Sequence, residues 1–330
     1  MKKNILVTGA QGYIGTVLLP KLIKKYNIFA YDAGYFKNCL LEKYQDPVKV
    51  KNLNLKDFNL SLFKNIYAVI HLGAISNDPS GKLNPKLTLD TNFKQTIRIA
   101  KLAKKAGVRR FLFSSSCIMY GSRTSKKVSE KSPLKPNTVY AKSKVLAENQ
   151  LKSLADENFS PIYIRNGTVY GYSPRMRFDT VLNDFILQYY LNKKIKILSK
   201  GTQYRPVVHV DDVANSFVSY LEAPYKKIHN QAFNNGNNKS NFRIKDLAKF
   251  VVGKNDFMLE ILNISGHDNR SYIASFKKLN KMLPKIKFNR NHKKEVKKIL
   301  NIFKRKKLKT GLLKSGKFIR MKWLERVIRG

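Results

Sequence analysis

A chain of 330 residues is long enough for one large domain or two ordinary ones, and an apolar fraction of 43% with 11% aromatics supports a packed core. The net charge is +44, yet lysines are spread through every segment, so the charge reads as compositional drift rather than as anion attraction or a specific nucleic-acid arm. Two cysteines, Cys39 and Cys117, exclude a disulfide framework and give no metal spacing, and no run of about eighteen apolar residues marks a membrane span.

The first element predicted is a short buried strand, Asn4 to Thr8. Gly9-Ala10-Gln11-Gly12-Tyr13-Ile14-Gly15 follows at once, and an apolar-periodic helix then runs through Val17, Leu18, Leu19, Leu22 and Ile23. The glycines also break the apolar start, so it does not read as a signal peptide, and a reducing cytoplasm is the expected compartment. Strand, glycine turn and helix is the context of a dinucleotide site. Glycines let the backbone approach a pyrophosphate, and the helix N-terminus faces its charge. Gly9, Gly12, Tyr13, Ile14 and Gly15 are therefore candidate cofactor contacts.

A second strand, Asn27 to Tyr31, ends at Asp32, a little under twenty residues past Gly15. A carboxylate there bonds both hydroxyls of an adenosine ribose and repels a 2′-phosphate, so the expected cofactor is NAD. Asn54 and Leu55, after a strand over Val48 to Lys51, are expected near the adenine. A strand from Ala68 to Leu72 runs into Gly73-Ala74, small residues that let a cofactor lie close; Leu72, Gly73 and Ala74 join the candidate list. A long helix is predicted over roughly Asn84 to Ala106, with Asn92 buried and bonded to backbone.

Strand Phe111 to Phe113 leads into Ser114-Ser115-Ser116. A helix after Pro136 and Asn137 carries Tyr140 and Lys144 four apart, on one face. A phenol is a poor base near neutral pH, and a neighbouring ammonium favours its ionised form. The β-α-β-α order continues to a strand over Pro161 to Ile164. It predicts a doubly wound parallel sheet in a Rossmann domain over residues 1–170. Residues 171–330 are expected to form a smaller α+β substrate domain, partly interleaved with the first. They include a helix over Phe178 to Leu191 with Asn183 as a base or diphosphate contact. The basic end, with Lys293-Lys294, Lys297-Lys298 and Lys304-Arg305-Lys306-Lys307, reads either as a peripheral membrane or acidic-partner contact or as a solvated helix. In the second reading Val296, Ile299, Leu300 and Phe303 form the other face of that helix.

Gly9-x-x-Gly12-x-x-Gly15, Asp32, Ser116, Tyr140 and Lys144 together resemble the extended short-chain dehydrogenase/reductases, in particular the NAD-dependent sugar-nucleotide epimerase/dehydratase group. Segments such as His71-Leu72-Gly73-Ala74 and Arg205-Pro206-Val207-Val208-His209-Val210-Asp211-Asp212 look like local signatures of that group. The resemblance spans Lys3 to about Phe276. It implies that Ser116 holds the substrate oxygen, that Lys144 bonds the nicotinamide ribose and lowers the Tyr140 pKa, and that Tyr140 takes a proton from a sugar hydroxyl. It places Arg205 and Arg270 on the diphosphate of a nucleotide-sugar substrate, with Arg175 and Arg177 as weaker candidates, and it implies a homodimer. Thr168 stands where relatives usually carry an asparagine that holds the sugar nucleotide.

The 4,6-dehydratases of that group carry an Asp-Glu pair where this chain has Cys117 and Ile118. Their absence favours a UDP-glucose 4-epimerase-like activity. The alternatives are a nucleotide-sugar 4-ketoreductase, dehydrogenase or dehydratase, and a non-catalytic NAD-binding protein.

Overall fold

The computed structural model describes residues 1–76, 78–122, 127–264, 270–288 and 291–329. Among them, seven strands form one parallel sheet. Across the sheet they run Gln231–Asn235, Ser160–Asn166, Arg110–Ser116, Ala68–His71, Asn4–Thr8, Asn27–Asp32 and Val50–Asn52. The order reverses beside Asn4–Thr8, and such a switch point opens a crevice at the carboxyl ends of the strands. This is the doubly wound architecture predicted, and Gln231–Asn235 is an edge strand returned to it from the second half of the chain.

Side-chain alternation explains why both faces are covered. Ile5 and Val7 point into one core with Leu18, Ile70 and Phe217. Leu6 points into the opposite core with Val69, Phe111, Phe113 and Leu151. A period of two along each strand gives each face its own apolar set.

The helix expected over Asn84 to Ala106 is broken into three. Asn84 caps Pro85–Leu89 by accepting from the Leu87 amide, Asp90–Lys94 is a π-helical turn, and Gln95–Lys105 is α-helical. The wide turn carries Asn92, which is fully buried and bonds both the amide and the carbonyl of Ile75 at 2.8 and 2.9 Å. A π turn inserts one extra residue, and such turns often lie beside functional sites.

Beyond the sheet, a second core gathers Leu182, Ile186, Leu247, Val296, Ile299, Phe303 and Phe318. The basic end is therefore no loose arm. Helix His292–Arg305 buries Val296, Ile299 and Phe303 and turns its lysines outward. Each of those apolar side chains contributes about 2 kcal/mol by leaving water. Helix Arg320–Arg329 follows, with Leu324 only 2% exposed. Among the described residues no helix is long and apolar enough to cross a membrane.

Candidate active site

A cavity of about 430 Å³ opens at the carboxyl ends of the strands, within the range of small-molecule and cofactor sites. Its floor is the glycine turn. Gly9 has φ +69°, and a Cβ there would lie 2.7 Å from the Gly73 amide. A Cβ on Gly15 would lie 2.5 Å from the Gly9 and Ala10 carbonyls. Only bare backbone fits at either place. Gly12, Tyr13 and Ile14 line the same floor, as do Leu72, Gly73 and Ala74.

Asp32 closes one end. Its two oxygens accept from the Gln11 and Gly34 amides at 2.9 and 2.8 Å, which fixes the carboxylate. Burial pushes its pKa up, and the two amides oppose that shift. Asn54 and Leu55 line the cavity beside it, and Asn54 accepts from the Tyr35 hydroxyl at 3.3 Å. A side-chain-free cradle at a helix start, followed by a fixed carboxylate, fits a dinucleotide diphosphate and its ribose.

Helix Val139–Leu154 supplies the other end. It begins where Thr138, in extended conformation, accepts from the Ala141 amide at 3.1 Å. Thr138 also donates to Asp78 at 2.5 Å. A buried ion pair holds the helix to the sheet: Arg165 Nη2 lies 2.6 Å from Glu148 Oε2, with side chains 3% and 1% exposed. Tyr140 and Lys144 then line the cavity with Ser116, which ends strand Arg110–Ser116.

The electrostatics differ from the simple pairing that the four-residue spacing suggests. Burial pushes the Tyr140 phenol up to about 12, and Asp78 adds to that. The groups that pull it down are Arg177 and a side-chain hydrogen bond with Ser116. Lys144 donates to the Ser114 carbonyl at 2.8 Å, with its Nζ 5.9 Å from the Tyr140 ring centre. Burial lowers Lys144 to about 7, opposed by Glu148. In this state the phenol and the amine are both neutral over most of the range between those values.

Of the other residues predicted for substrate, Thr168 lines the cavity. Asn183, Arg205 and Arg270 lie off its lining. The Asn183 amide is fully buried and spent on structure, accepting from the Gly171 amide and donating to the Tyr13 hydroxyl and the Arg177 carbonyl. Arg205 donates to the Tyr204 and Arg270 carbonyls. Arg270 pairs with Asp78 at 2.5 Å. The arginines on the lining are Arg177, one of the weaker sequence candidates, and Arg320. Arg177 donates from Nε to Asp179 and from Nη1 to Ser76, at 2.6 and 3.1 Å. Its Nη2 is buried and makes no hydrogen bond among the described residues. Arg175 is instead matched to Asp46 at 2.8 Å.

The positions beside Ser116 carry no acid. Cys117 is fully buried, donates to the Arg165 carbonyl at 3.1 Å, and is pushed well above the usual thiol range by burial. Ile118 lines the cavity. His71, one strand away, bonds Thr8 and Thr96, and burial lowers it to about 3, so it is a neutral core residue.

A strand-end crevice with a glycine cradle, a carboxylate fixed by two amides and a Ser/Tyr/Lys set defines an NAD-dependent enzyme of the short-chain dehydrogenase/reductase class. The family model described as the NAD dependent epimerase/dehydratase family matches residues 5–236, and the chain belongs to that family. It is 30% identical over 238 residues to the "Uncharacterized UDP-glucose epimerase YtcB" of Bacillus subtilis (strain 168), covering 67% of this chain and 73% of that protein. It is 27% identical over 298 residues to the UDP-glucuronate 4-epimerase of Thermodesulfobacterium geofontis (strain OPF15), covering 84% of this chain and 89% of that one. In fold it is similar to the UDP-glucuronic acid 4-epimerase of Bacillus cereus in complex with UDP-glucuronic acid and NAD. The TM-score is 0.77 at 24% identity, over 92% of this chain and 99% of that one.

Proposed function

We propose that this protein is a nucleotide-sugar 4-epimerase of the UDP-glucose 4-epimerase type. The observation that carries the reading is that Ser116, Tyr140 and Lys144 share one cavity while Cys117 and Ile118 bring no carboxyl to it. Elimination of water needs a further acid and base, whereas inversion at one carbon needs only a proton relay at its oxygen. NAD, when bound, supplies the hydride acceptor and donor and a positive ring charge beside the phenol. Tyr140, as its phenolate, takes the proton from the sugar 4-hydroxyl as C4 is oxidised, and returns it to the same oxygen as C4 is reduced from the opposite face. Ser116 holds the same oxygen in place, and Lys144 bonds the cofactor ribose. Gly9, Gly12 and Gly15 admit the diphosphate, and Asp32 bonds the adenosine ribose.

For the sugar, a substrate carrying a negative charge is favoured over a neutral hexose. Arg177 is buried on the lining, acts on Tyr140, and keeps an unused Nη2. The similarity to a UDP-glucuronate 4-epimerase points the same way.

The test is incubation of purified protein with UDP-glucose, UDP-galactose and UDP-glucuronate in separate reactions, without added NADH, followed by NMR of the C4 configuration. Inversion in any of them, with UDP-glucuronate fastest, is expected. Stoichiometric consumption of NADH or NAD⁺ would replace the epimerase reading with a reductase or dehydrogenase. Loss of water without inversion would replace it with a dehydratase.

A further inference from the structure

Two residues of the cavity wall, Arg320 and Leu324, come from a part of the chain outside the matched family region, which ends at residue 236. Residues 308–324 turn back across the molecule and dock on both halves of the site. Phe318 is fully buried, packs edge-on against Phe178 at 5.6 Å, and its carbonyl accepts from the Phe178 amide at 2.8 Å. Trp323 donates from its indole to the Tyr35 carbonyl at 2.6 Å. Arg320 lies 4.0 Å over the Phe36 ring, four residues past Asp32. Arg320 and Leu324 then line the cavity.

Arg320 is 2% exposed. Its Nη2 donates to the Arg175 carbonyl at 3.2 Å, while Nη1 makes no hydrogen bond among the described residues. The neighbouring charges do not balance. Arg175 is matched by Asp46 and Arg177 by Asp179, whereas Arg320 has no ion pair among the described residues. Burial and the Arg177 charge lower Arg320 to about 10, opposed by Asp179 and Cys39, so it stays cationic near neutral pH. The nearest carboxylate, Asp179, is shared with Arg177, and a buried cation so weakly matched is costly unless an anion joins it. Arg320 is also felt by the Tyr13 phenol, which belongs to the glycine turn. Its surroundings include Tyr13, Phe36 and Cys39, which belong to the glycine turn and the segment just after Asp32, together with Arg177 and Asp179.

We propose that residues 308–324 form a clasp over the bound dinucleotide and that Arg320 Nη1 donates to its diphosphate. The clasp would add a charge-assisted contact to a floor that otherwise offers only backbone amides. The inference rests on NAD as the cofactor, not on the epimerase reading, and it stands whichever reaction the site performs.

The experiment uses the full chain and reads cofactor binding rather than turnover. Trp323 is the single tryptophan, and its emission overlaps the absorption of NADH, so quenching on NADH addition reports binding beside the clasp. The NAD that co-purifies per chain is measured in parallel. Arg320→Gln is expected to weaken NADH about ten- to a hundredfold and to lower co-purified NAD, with UDP affinity within about twofold of the parent. Arg320→Lys, which keeps the charge, is expected to fall between the two. Equal NADH affinity in the parent and Arg320→Gln overturns the proposal. Weakened UDP with unchanged NADH also overturns it, because the guanidinium would then serve the nucleotide sugar. If Arg320→Gln does not fold, Arg320→Lys against Leu324→Ala decides. NADH weakened by loss of packing but not by change of the cation assigns Arg320 a structural role and overturns the diphosphate contact.

Discussion

One wall of the cavity is built by backbone, and the other carries two buried guanidinium groups. On the first wall, Gly9, Gly15 and Gly73 create space by lacking side chains, and the sheet fixes their positions. On the second, Arg177 and Arg320 present charge, and neither belongs to the parallel sheet. The difference teaches where each kind of specificity comes from. Shape for a dinucleotide is cut into one short run of chain, Gly9 to Gly15, with Gly73 of the neighbouring strand end packed against it. Charge for anionic ligands is assembled from residues far apart in sequence.

Substitutions sharpen that contrast. Tyr140→Phe removes only the phenol oxygen from the cavity that both walls line. It should lower turnover by about 10²–10⁴ while NADH still quenches Trp323, and loss of binding together with turnover would place the phenol in the cofactor wall instead. Glu148→Gln leaves Arg165 buried beside a neutral partner, and should cost about 3–5 kcal/mol of stability in urea denaturation. A small loss there would mean that the catalytic helix is held by packing alone. Gly9→Ala attacks the backbone wall. The left-handed backbone alone costs about 1–2 kcal/mol, and the added methyl meets the Gly73 amide, so co-purified NAD should disappear before the fold does. Retained NAD would show that the floor can yield.

The smallest effect is a slope. Lys144 titrates at about 7 in the folded, ligand-free protein and near 10.4 in the unfolded chain. Between those values the unfolded chain binds the extra proton, so stability should rise with pH from about 7 toward 10. The contribution is at most about 1.4 kcal/mol per pH unit. Urea midpoints at pH 7, 8 and 9 measure it, and Lys144→Met should flatten this part of the rise. An identical slope in the variant would mean that the buried amine is not its source.

Much of the backbone wall was legible in advance, because strand, glycine turn, helix and acid follow one another within Asn4 to Asp32. Their placing follows from the general rule that ligands meet such sheets at strand ends. The arginine wall was legible only in part. Arg177 stood in a short basic stretch, while Arg205 and Arg270, chosen for their resemblance to diphosphate contacts, turn to the Tyr204 carbonyl and to Asp78. Arg320 gave no local signal at all, since it stands among the basic residues of an end that reads as a solvated face. The seat of Lys144 was also beyond spacing rules. Four residues along a helix bring two side chains to one face, but the Ser114 carbonyl decides where the ammonium points.

The two oxygens of Asp179 answer to different masters. One grips the Arg177 side chain at 2.6 Å, and the other accepts from the Arg320 amide at 3.1 Å, at the start of the last helix. A ligand that tugs on Arg177 therefore reaches the cover above the dinucleotide through a single carboxylate. By thermodynamic reciprocity, any tightening that the sugar nucleotide gives the coenzyme must be returned by the same factor, and changing Asp179 to Asn should sever that exchange.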